Sequence, residues 1–197
     1  CSTQSTSDSL LIDAADMVDE ITQESQGLDM VGILATGGIY RGFSNSYGQR
    51  NWFSTSNFNL DWSLVHSADK AVKSTYAGKE WSSTDFRSKM ELARRKLKAL
   101  GLPPKILAPG EYRAFLSPTA LWEILSLLGW GGFSMNAQKT KVSPLLKLAE
   151  SEKSLSEKVS LYENVEGGSS AQFQSQGFVR PPSIPLVEDG RFAGSLI

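Results

Sequence analysis

A glutamate within an apolar helical segment is the residue of this chain with the clearest potential for chemistry. Glu123 lies in the run Trp122–Leu127, which reads WEILSL. On a helix of a zinc peptidase, a glutamate can act as general base for a metal-bound water when histidines beside it hold the metal. The neighbours of Glu123 are a tryptophan and leucines, which do not bind zinc. Glu123 is therefore a candidate catalytic residue without the partners that this chemistry requires.

Metal ligands are scarce in the whole sequence. The chain has one cysteine, Cys1, and one histidine, His66. An ordinary zinc site needs several such ligands, so we expect no metal site and no cofactor. A single cysteine also cannot form an internal disulfide. His66 ends a strand-like segment, and we expect it to be a partly buried, hydrogen-bonded histidine and not a ligand or base.

Two other kinds of catalytic or binding motif are absent. The glycine-rich segment 129–133 lacks the lysine and serine of a P-loop, and it follows a predicted helix instead of preceding one. No serine lies in a G-x-S-x-G elbow. The segment 129–133 is therefore interpreted as a plain helix exit.

The composition is typical of a protein with a buried core and not of a nucleic-acid binder. The chain has 197 residues, 40% of them hydrophobic, and its net charge is -1. These values allow a buried core and give no basic surface of the kind that nucleic-acid binders carry. No apolar run is long enough to span a membrane. The most apolar helical segment, 120–128, is predicted to be buried in a core.

Hydrophobic spacing predicts three main helices. Leucines and other apolar residues recur every three or four positions in segments 9–25 and 84–100. Ser83 or Thr84 can cap the second helix, which Gly101 ends. In that helix Glu91 is placed to pair with Arg94 or Arg95. The third helix follows Ser117-Pro118, a capping serine with proline at the first helical position, and runs to Leu128.

Alternation and turn residues predict a β-meander over residues 30–78. A turn is expected at Gly37-Gly38 and another at 45–48. Between 57 and 64, apolar and polar residues alternate strictly, as in a strand with one buried face. Shorter strands are predicted at Tyr112–Leu116, at Val159–Tyr162 and near the end, from Gly190.

The predicted fold class is α+β, with a mainly antiparallel sheet packed against amphipathic helices. Residues 1–28 are expected to form a tether and a helix, and residues 29–197 the α+β region. The charged stretch 139–158 is predicted to lie on the surface, with a turn of helix at 145–150.

Four aromatic residues are candidates for peptide or subunit contacts. Trp52 and Trp62 lie on the predicted strands and could line a groove that accepts an extended peptide, although core positions are the alternative. Trp130 and Phe133 lie in the glycine-rich segment 129–133, where exposed aromatics would suit an interface between subunits.

Three sequence blocks resemble the TldD/PmbA family of peptide-processing proteins, which are also described as modulators of DNA gyrase. The first block is 40–48, YRGFSNSYG, which is similar to the family's strand and N-S-x-G turn. The second is 110–120, GEYRAFLSPTA, similar to the strand that leads into its central helix. The third is 173–177, FQSQG, followed by PLVEDG at 185–190. Their order and spacing cover most of the chain and resemble the middle and later parts of the family, as though the chain were a fragment truncated at both ends.

The resemblance implies a non-catalytic role. In the TldD-like branch the central helix carries H-E-x-x-x-H; in this chain Trp122 and Leu127 stand where that motif has its histidines, and Glu123 stands at its glutamate. Gln174 and Gln176 also replace usual acidic residues. The chain is thus similar to the PmbA-like branch, which implies a cytoplasmic subunit that forms a homo- or heterodimer with a TldD/PmbA-type protein and contributes to peptide binding. Glu123 would then be a relic of the general base. Nothing in the composition gives gyrase modulation a physical basis.

Two other interpretations remain open. Cys1 before a Ser/Thr-rich segment could be the lipid-modified start of a bacterial lipoprotein, which would make the chain a stand-alone, lipid-anchored module that binds a peptide or protein. The third hypothesis is a metal-independent hydrolase that uses Glu123 or His66.

Overall fold

A computed structural model of the protein describes residues 2–7, 12–67, 69–166 and 168–196. The chain divides into two compact units, which are described in turn. Unit 1 comprises Cys1–Leu107 with Ala171–Val179, and unit 2 comprises Ala108–Ser170 with Arg180–Ile197. Helices and mainly antiparallel strands occur together, so the predicted α+β class is confirmed.

The sheet of unit 1 is built around one long central strand. Its four strands are β1 (Gln4–Thr6), β2 (Asp29–Ser44), β3 (Arg50–Ser67) and β4 (Lys70–Gly78). β3 pairs antiparallel with β2 on one side; on its other side it pairs antiparallel with β4 and parallel with β1. The predicted meander is therefore present, with β1 as a parallel addition at one end.

The predicted turn at Gly37-Gly38 is wrong. β2 continues through both glycines, which pair with Asn57 and Ser56 of β3. Each glycine keeps its place in an unbroken antiparallel ladder, and the backbone hydrogen bonds of the ladder outweigh the local turn preference of a glycine pair.

The predicted turn at 45–48 is confirmed, and its hydrogen bonds explain it. The side-chain oxygen of Asn45 accepts from the backbone N–H groups of Tyr47 and Gln49, each at 3.1 Å. Gly48 has a φ of +82°, which favours glycine. This turn joins β2 to β3.

Two helices pack on one face of the sheet: α1 (Ala14–Glu24) and α2 (Ser83–Leu100). The first predicted residues of α1, at 9–11, lie outside the described residues. α2 begins one residue earlier than predicted, because Ser82, and not Ser83 or Thr84, caps it through a hydrogen bond from the Asp85 amide. Gly101 follows its last residue, as predicted.

An ion pair holds the two helices together. Arg94 of α2 lies 3.1 Å from the carboxylate of Glu24 in α1, in place of the predicted pairing with Glu91. Glu20 accepts hydrogen bonds from the Trp81 indole and the Ser83 hydroxyl, both at 2.8 Å. Residues 14–28 are therefore part of the same unit as the sheet, although the predicted domain boundary lay at residue 28.

The main core of unit 1 follows the predicted alternation. The even-numbered side chains of β3 that pack against α1 and α2 are Phe58, Leu60, Trp62 and Leu64. They meet Met17 of α1 and, from α2, a second set of buried side chains: Phe86, Met90 and Ala93.

The first part of β3 is buried on the opposite face. There the odd-numbered Asn51, Phe53 and Thr55 are buried, and Phe53 packs with Ala171 and Phe173 of segment 171–179. The sheet is thus covered by helices on one face over 58–64, and by a returning loop on the other face over 51–55.

Unit 2 combines three helices with a small antiparallel sheet. The helices are α3 (Pro118–Gly129), α4 (Met135–Lys139) and α5 (Leu146–Ala149), and the strands are β5 (Leu161–Asn164), β6 (Ser183–Glu188) and β7 (Arg191–Phe192). β6 is central, between β5 and β7. Four buried side chains form the core of unit 2: Phe133, Leu148, Leu186 and Val187.

Several predictions for unit 2 need correction. Tyr112–Leu116 forms no strand; these residues are exposed and have no ladder partner among the described residues. The strand predicted at Val159–Tyr162 begins instead at Leu161, and the predicted terminal strand is limited to Arg191–Phe192. Within the predicted surface stretch 139–158, the helical turn at α5 is present, but Leu148 is a core residue. No described helix has both the length and the apolar character that a membrane span requires.

Candidate functional site

Helix α3, which carries Glu123, is capped as the sequence predicts. The Ser117 hydroxyl accepts a hydrogen bond from the Ala120 amide at 3.3 Å, and Pro118 opens the helix. The prediction that segment 120–128 is buried is wrong, because α3 has no buried residue. Only its last turn, through Leu128, packs against the core of unit 2.

The side chains around Glu123 are unusually exposed for their type. Trp122 and Leu127 are each 68% exposed, and Leu121 and Ile124 are also exposed. Glu123 is exposed too, and its backbone carbonyl accepts a hydrogen bond from the Ser126 hydroxyl at 2.8 Å. The helix therefore presents an apolar surface with one carboxylate in it.

The two aromatic candidates after α3 have different environments. Trp130, the residue that follows α3, is 85% exposed and extends the apolar surface of the helix. Phe133 is buried and stacks on Phe192, with ring centroids 6.3 Å apart. The candidate contact role of Phe133 is therefore corrected to a core role: the short loop turns back at Gly131 (φ +77°) and directs Phe133 inward.

No group of three or more His, Cys, Asp or Glu residues that could hold a metal ion occurs within the described part of the chain. His66 is exposed, not partly buried as expected, and it lies at an irregularity of the β3–β4 ladder between Val65 and Ser67. Its ring comes close to Gly101: the Nε2 atom would be 2.9 Å from a Cβ built there. Cys1 lies outside the described residues.

Trp52 and Trp62, the two candidates on β3, differ in burial although both are even-numbered and lie on the same face of the strand. Trp62 is fully buried beneath the helices, which confirms the core alternative for this residue and excludes it as a contact residue. Trp52 is 45% exposed, because α1 and α2 do not reach this part of the sheet, and its ring lies 6.4 Å from that of Tyr40.

Two of the sequence blocks meet at Gly177. Its carbonyl accepts hydrogen bonds from Gln49 at 2.6 Å and from Asn51 at 3.1 Å. Phe43 packs so closely against Gly177 that a Cβ there would overlap its ring, and the φ of +89° likewise favours glycine. Block 40–48 and block 173–177 are thus joined in space.

A polar cavity of about 730 Å³ lies beside this junction. It is open to solvent and is bounded by the turn at 45–48 together with parts of β1, β2 and β3. Its lining residues are Thr3, Gln4, Gly42, Phe43, Ser44, Asn45, Ser46, Gly48, Arg50, Asn51 and Trp52. Arg50 is the one charged residue among them.

Tyr40 and Arg50 were not among the sequence-based candidates. The period-2 spacing of β3 could have placed Arg50 beside Trp52, because residues 50, 52 and 54 share one face. Tyr40 joins this face because it pairs with Ser54. The sequence did not indicate that the helices leave this part of the face uncovered.

Compared with known proteins, the chain matches no family model, no curated protein and no solved structure.

Proposed function

We propose that the chain belongs to a non-catalytic, cytoplasmic PmbA-like subunit that dimerises with a TldD/PmbA-type protein and helps to hold a peptide. A TldD-like subunit would supply the zinc and the hydrolytic chemistry. In this proposal α3 contacts the partner subunit, and Glu123 has no catalytic role.

The exposed apolar surface of α3 is the observation that carries the proposal. A helix that is apolar on all sides is normally buried, and a large exposed apolar surface marks a place of interaction. Tryptophans such as Trp122 and Trp130 are enriched at protein interfaces, where charged residues are depleted. Glu123 is the only charged residue of α3.

The sequence resemblance supports the same role. The positions where the catalytic branch has zinc-binding histidines hold Trp122 and Leu127, both 68% exposed. These side chains cannot bind a metal, but each can bury a large apolar area on a partner, at roughly 25 cal/mol per Å².

The test combines assembly with activity. The chain is mixed with a TldD-like protein that carries H-E-x-x-x-H from the same genome, and assembly is followed by sedimentation velocity. Zinc content and cleavage of an unfolded peptide are measured for the chain alone and for the mixture. We expect a complex, and cleavage only in the mixture. Stoichiometric zinc or metal-dependent cleavage by the chain alone would show that it is itself the enzyme.

A matched pair of variants tests the role of α3. Leu127→Asp places a charge in the surface and should weaken assembly by at least about tenfold, since an unpaired charge is costly in an interface. Leu102→Asp is the control, because Leu102 is equally exposed (66%) but lies outside α3. Equal assembly by the two variants would refute the contact through α3.

A further inference from the structure

Within the described residues, no helix lies over one face of the unit 1 sheet where β2 and β3 approach their connecting turn. The residues of this "aromatic face" are the even-numbered ones of both strands, since directly paired residues share a face. They are Gly38, Tyr40, Gly42 and Ser44 of β2, and Arg50, Trp52, Ser54 and Ser56 of β3.

Small residues make the aromatic face flat, so the rings of Trp52 and Tyr40 lie on top of it. The ring of Trp52 lies over Gly42, whose built Cβ would be 3.4 Å from it. Tyr40 lies over Gly38 in the same way, with its hydroxyl oxygen 2.6 Å from the Cβ position. Both rings keep much of their surface in solvent, so they offer an apolar platform to a ligand.

Arg50 brings a positive charge to the edge of this platform. It lies two residues before Trp52 on the same face and lines the 730 Å³ cavity. Its guanidinium forms no ion pair within the described residues, and no acidic residue lines the cavity. A peptide carboxylate complements an arginine of this kind, because it can accept paired charge-assisted hydrogen bonds from the guanidinium.

We propose that the aromatic face binds an extended peptide through a carboxylate at Arg50 and a large apolar or aromatic side chain at Trp52 and Tyr40. This specifies the ligand class of the peptide-holding role proposed above and rests on it. The spacing fits: Arg50 and Trp52 are two strand residues apart, about 6.6 Å, which is the distance between side chains on one face of an extended peptide.

Peptide binding to the isolated chain tests the proposal. Fluorescently labelled Ala-Ala-Phe-Gly with a free C-terminal carboxylate is titrated with the protein, and anisotropy is recorded. The same peptide with an amidated C-terminus removes the charge, and amidated Ala-Ala-Phe-Gly-Asp restores it on a side chain. We expect one or both acids to bind at least about tenfold more tightly than the neutral amide, and their comparison identifies the source of the carboxylate.

Protein variants locate the site. Arg50→Gln should weaken binding of the acid about tenfold or more and leave binding of the amide unchanged, while Trp52→Ala should weaken both. Arg41→Gln is the control, because Arg41 is also exposed on the hairpin but is odd-numbered and lies on the other face. Equal binding of acid and amide, no binding at all, or equal losses in the two arginine variants would overturn the proposal.

This experiment needs no partner subunit. If the isolated chain failed to bind peptide, the results on assembly with the partner and on cleavage by the mixture would therefore still stand. Failure of assembly would conversely leave a measured preference for carboxylates standing.

Discussion

The side-chain amide of Asn51 donates a hydrogen bond of 3.1 Å to the carbonyl of Gly177, a residue 126 positions later in the chain. The side-chain oxygen of Asn51 accepts from the Thr3 backbone N–H at 3.2 Å. One buried amide thereby connects β3 with Thr3, the residue before β1, and with segment 171–179. Thr3 and Asn51 also line the cavity.

Asn51→Ala should lower the free energy of unfolding of unit 1 by about 1–3 kcal/mol, because two hydrogen bonds of a buried side chain are lost. The Thr3 amide loses its bond to the Asn51 side chain, and the Gly177 carbonyl keeps only the bond from Gln49. Hydrogen exchange of the β3 amides measures the change. Asn59→Ala on the same strand is the control: Asn59 is exposed, and its bond to Asp61 (3.0 Å) is at the surface. Its effect should stay within about 0.5 kcal/mol, and equal effects would contradict the structural role of Asn51.

Gly32→Ala should destabilise unit 1 by about 1–3 kcal/mol. A Cβ at Gly32 would lie 2.8 Å from the Asp61 carbonyl oxygen and 2.9 Å from the Cβ of Trp62, and neither backbone nor core can move away easily. Thermal unfolding followed by circular dichroism measures the loss. Gly129→Ala should be harmless, because no atom beyond its chain neighbours and the backbone of its own helix lies within 4 Å of its Cβ position. An unchanged melting temperature for Gly32→Ala would show that β2 and β3 are not paired in this register.

The two tryptophans of β3 should differ in their contribution to stability. Trp62→Ala should cost about 3–5 kcal/mol, because a large ring leaves the core, whereas Trp52→Ala should cost much less. The buried indole N–H of Trp62 has no hydrogen-bond partner among the described residues. Trp62→Phe should therefore retain most of the stability, and urea denaturation of the three variants checks this order. A larger loss for Trp52→Ala than for Trp62→Ala would contradict the placement of Trp62 in the core and of Trp52 on an uncovered part of the same face.

Tyr162 should titrate at a higher pH than an ordinary tyrosine. Partial loss of hydration and then the negative charge of Glu188, whose carboxylate accepts a 3.3 Å hydrogen bond from the hydroxyl, raise the pKa of Tyr162 above 10.0. Glu188→Gln removes the charge, so the pKa of Tyr162 should fall towards 10.0. NMR of labelled tyrosine over pH 8–12 records the shift, and Glu157→Gln, on the surface, should leave it unchanged. An unaltered titration in Glu188→Gln would rule out this pairing.

Strong local patterns predicted several elements in both units. The alternation over 57–64 identified both the strand and its buried face, because a strand with one face in a core needs period-2 spacing. The spacing over 84–100 likewise identified α2, and Ser117-Pro118 identified the start of α3. These signals depend only on neighbours within a few residues, so they can be recognised in a single sequence.

The errors arose where distant residues decide the outcome. Gly37-Gly38 has the composition of a turn, yet pairing with β3 keeps the strand straight. Phe133 is an aromatic residue beside glycines, which suggested an exposed contact. In the structure it stacks on Phe192, a residue far along the chain. The candidate site shows the same division: Trp52 was found from its residue type, but its pairing with Tyr40 and Arg50 on an uncovered face was not.

The shortage of metal ligands, the α+β class and the apolar helix around Glu123 all follow from the order of residue types, because composition and short-range periodicity are local properties. How far along β3 the buried face extends followed only from tertiary packing. Trp62 and Trp52 lie on the same strand and the same face, and helices cover one and leave the other in solvent. Burial depends on which elements meet in space, and that depends on contacts between residues far apart in the chain.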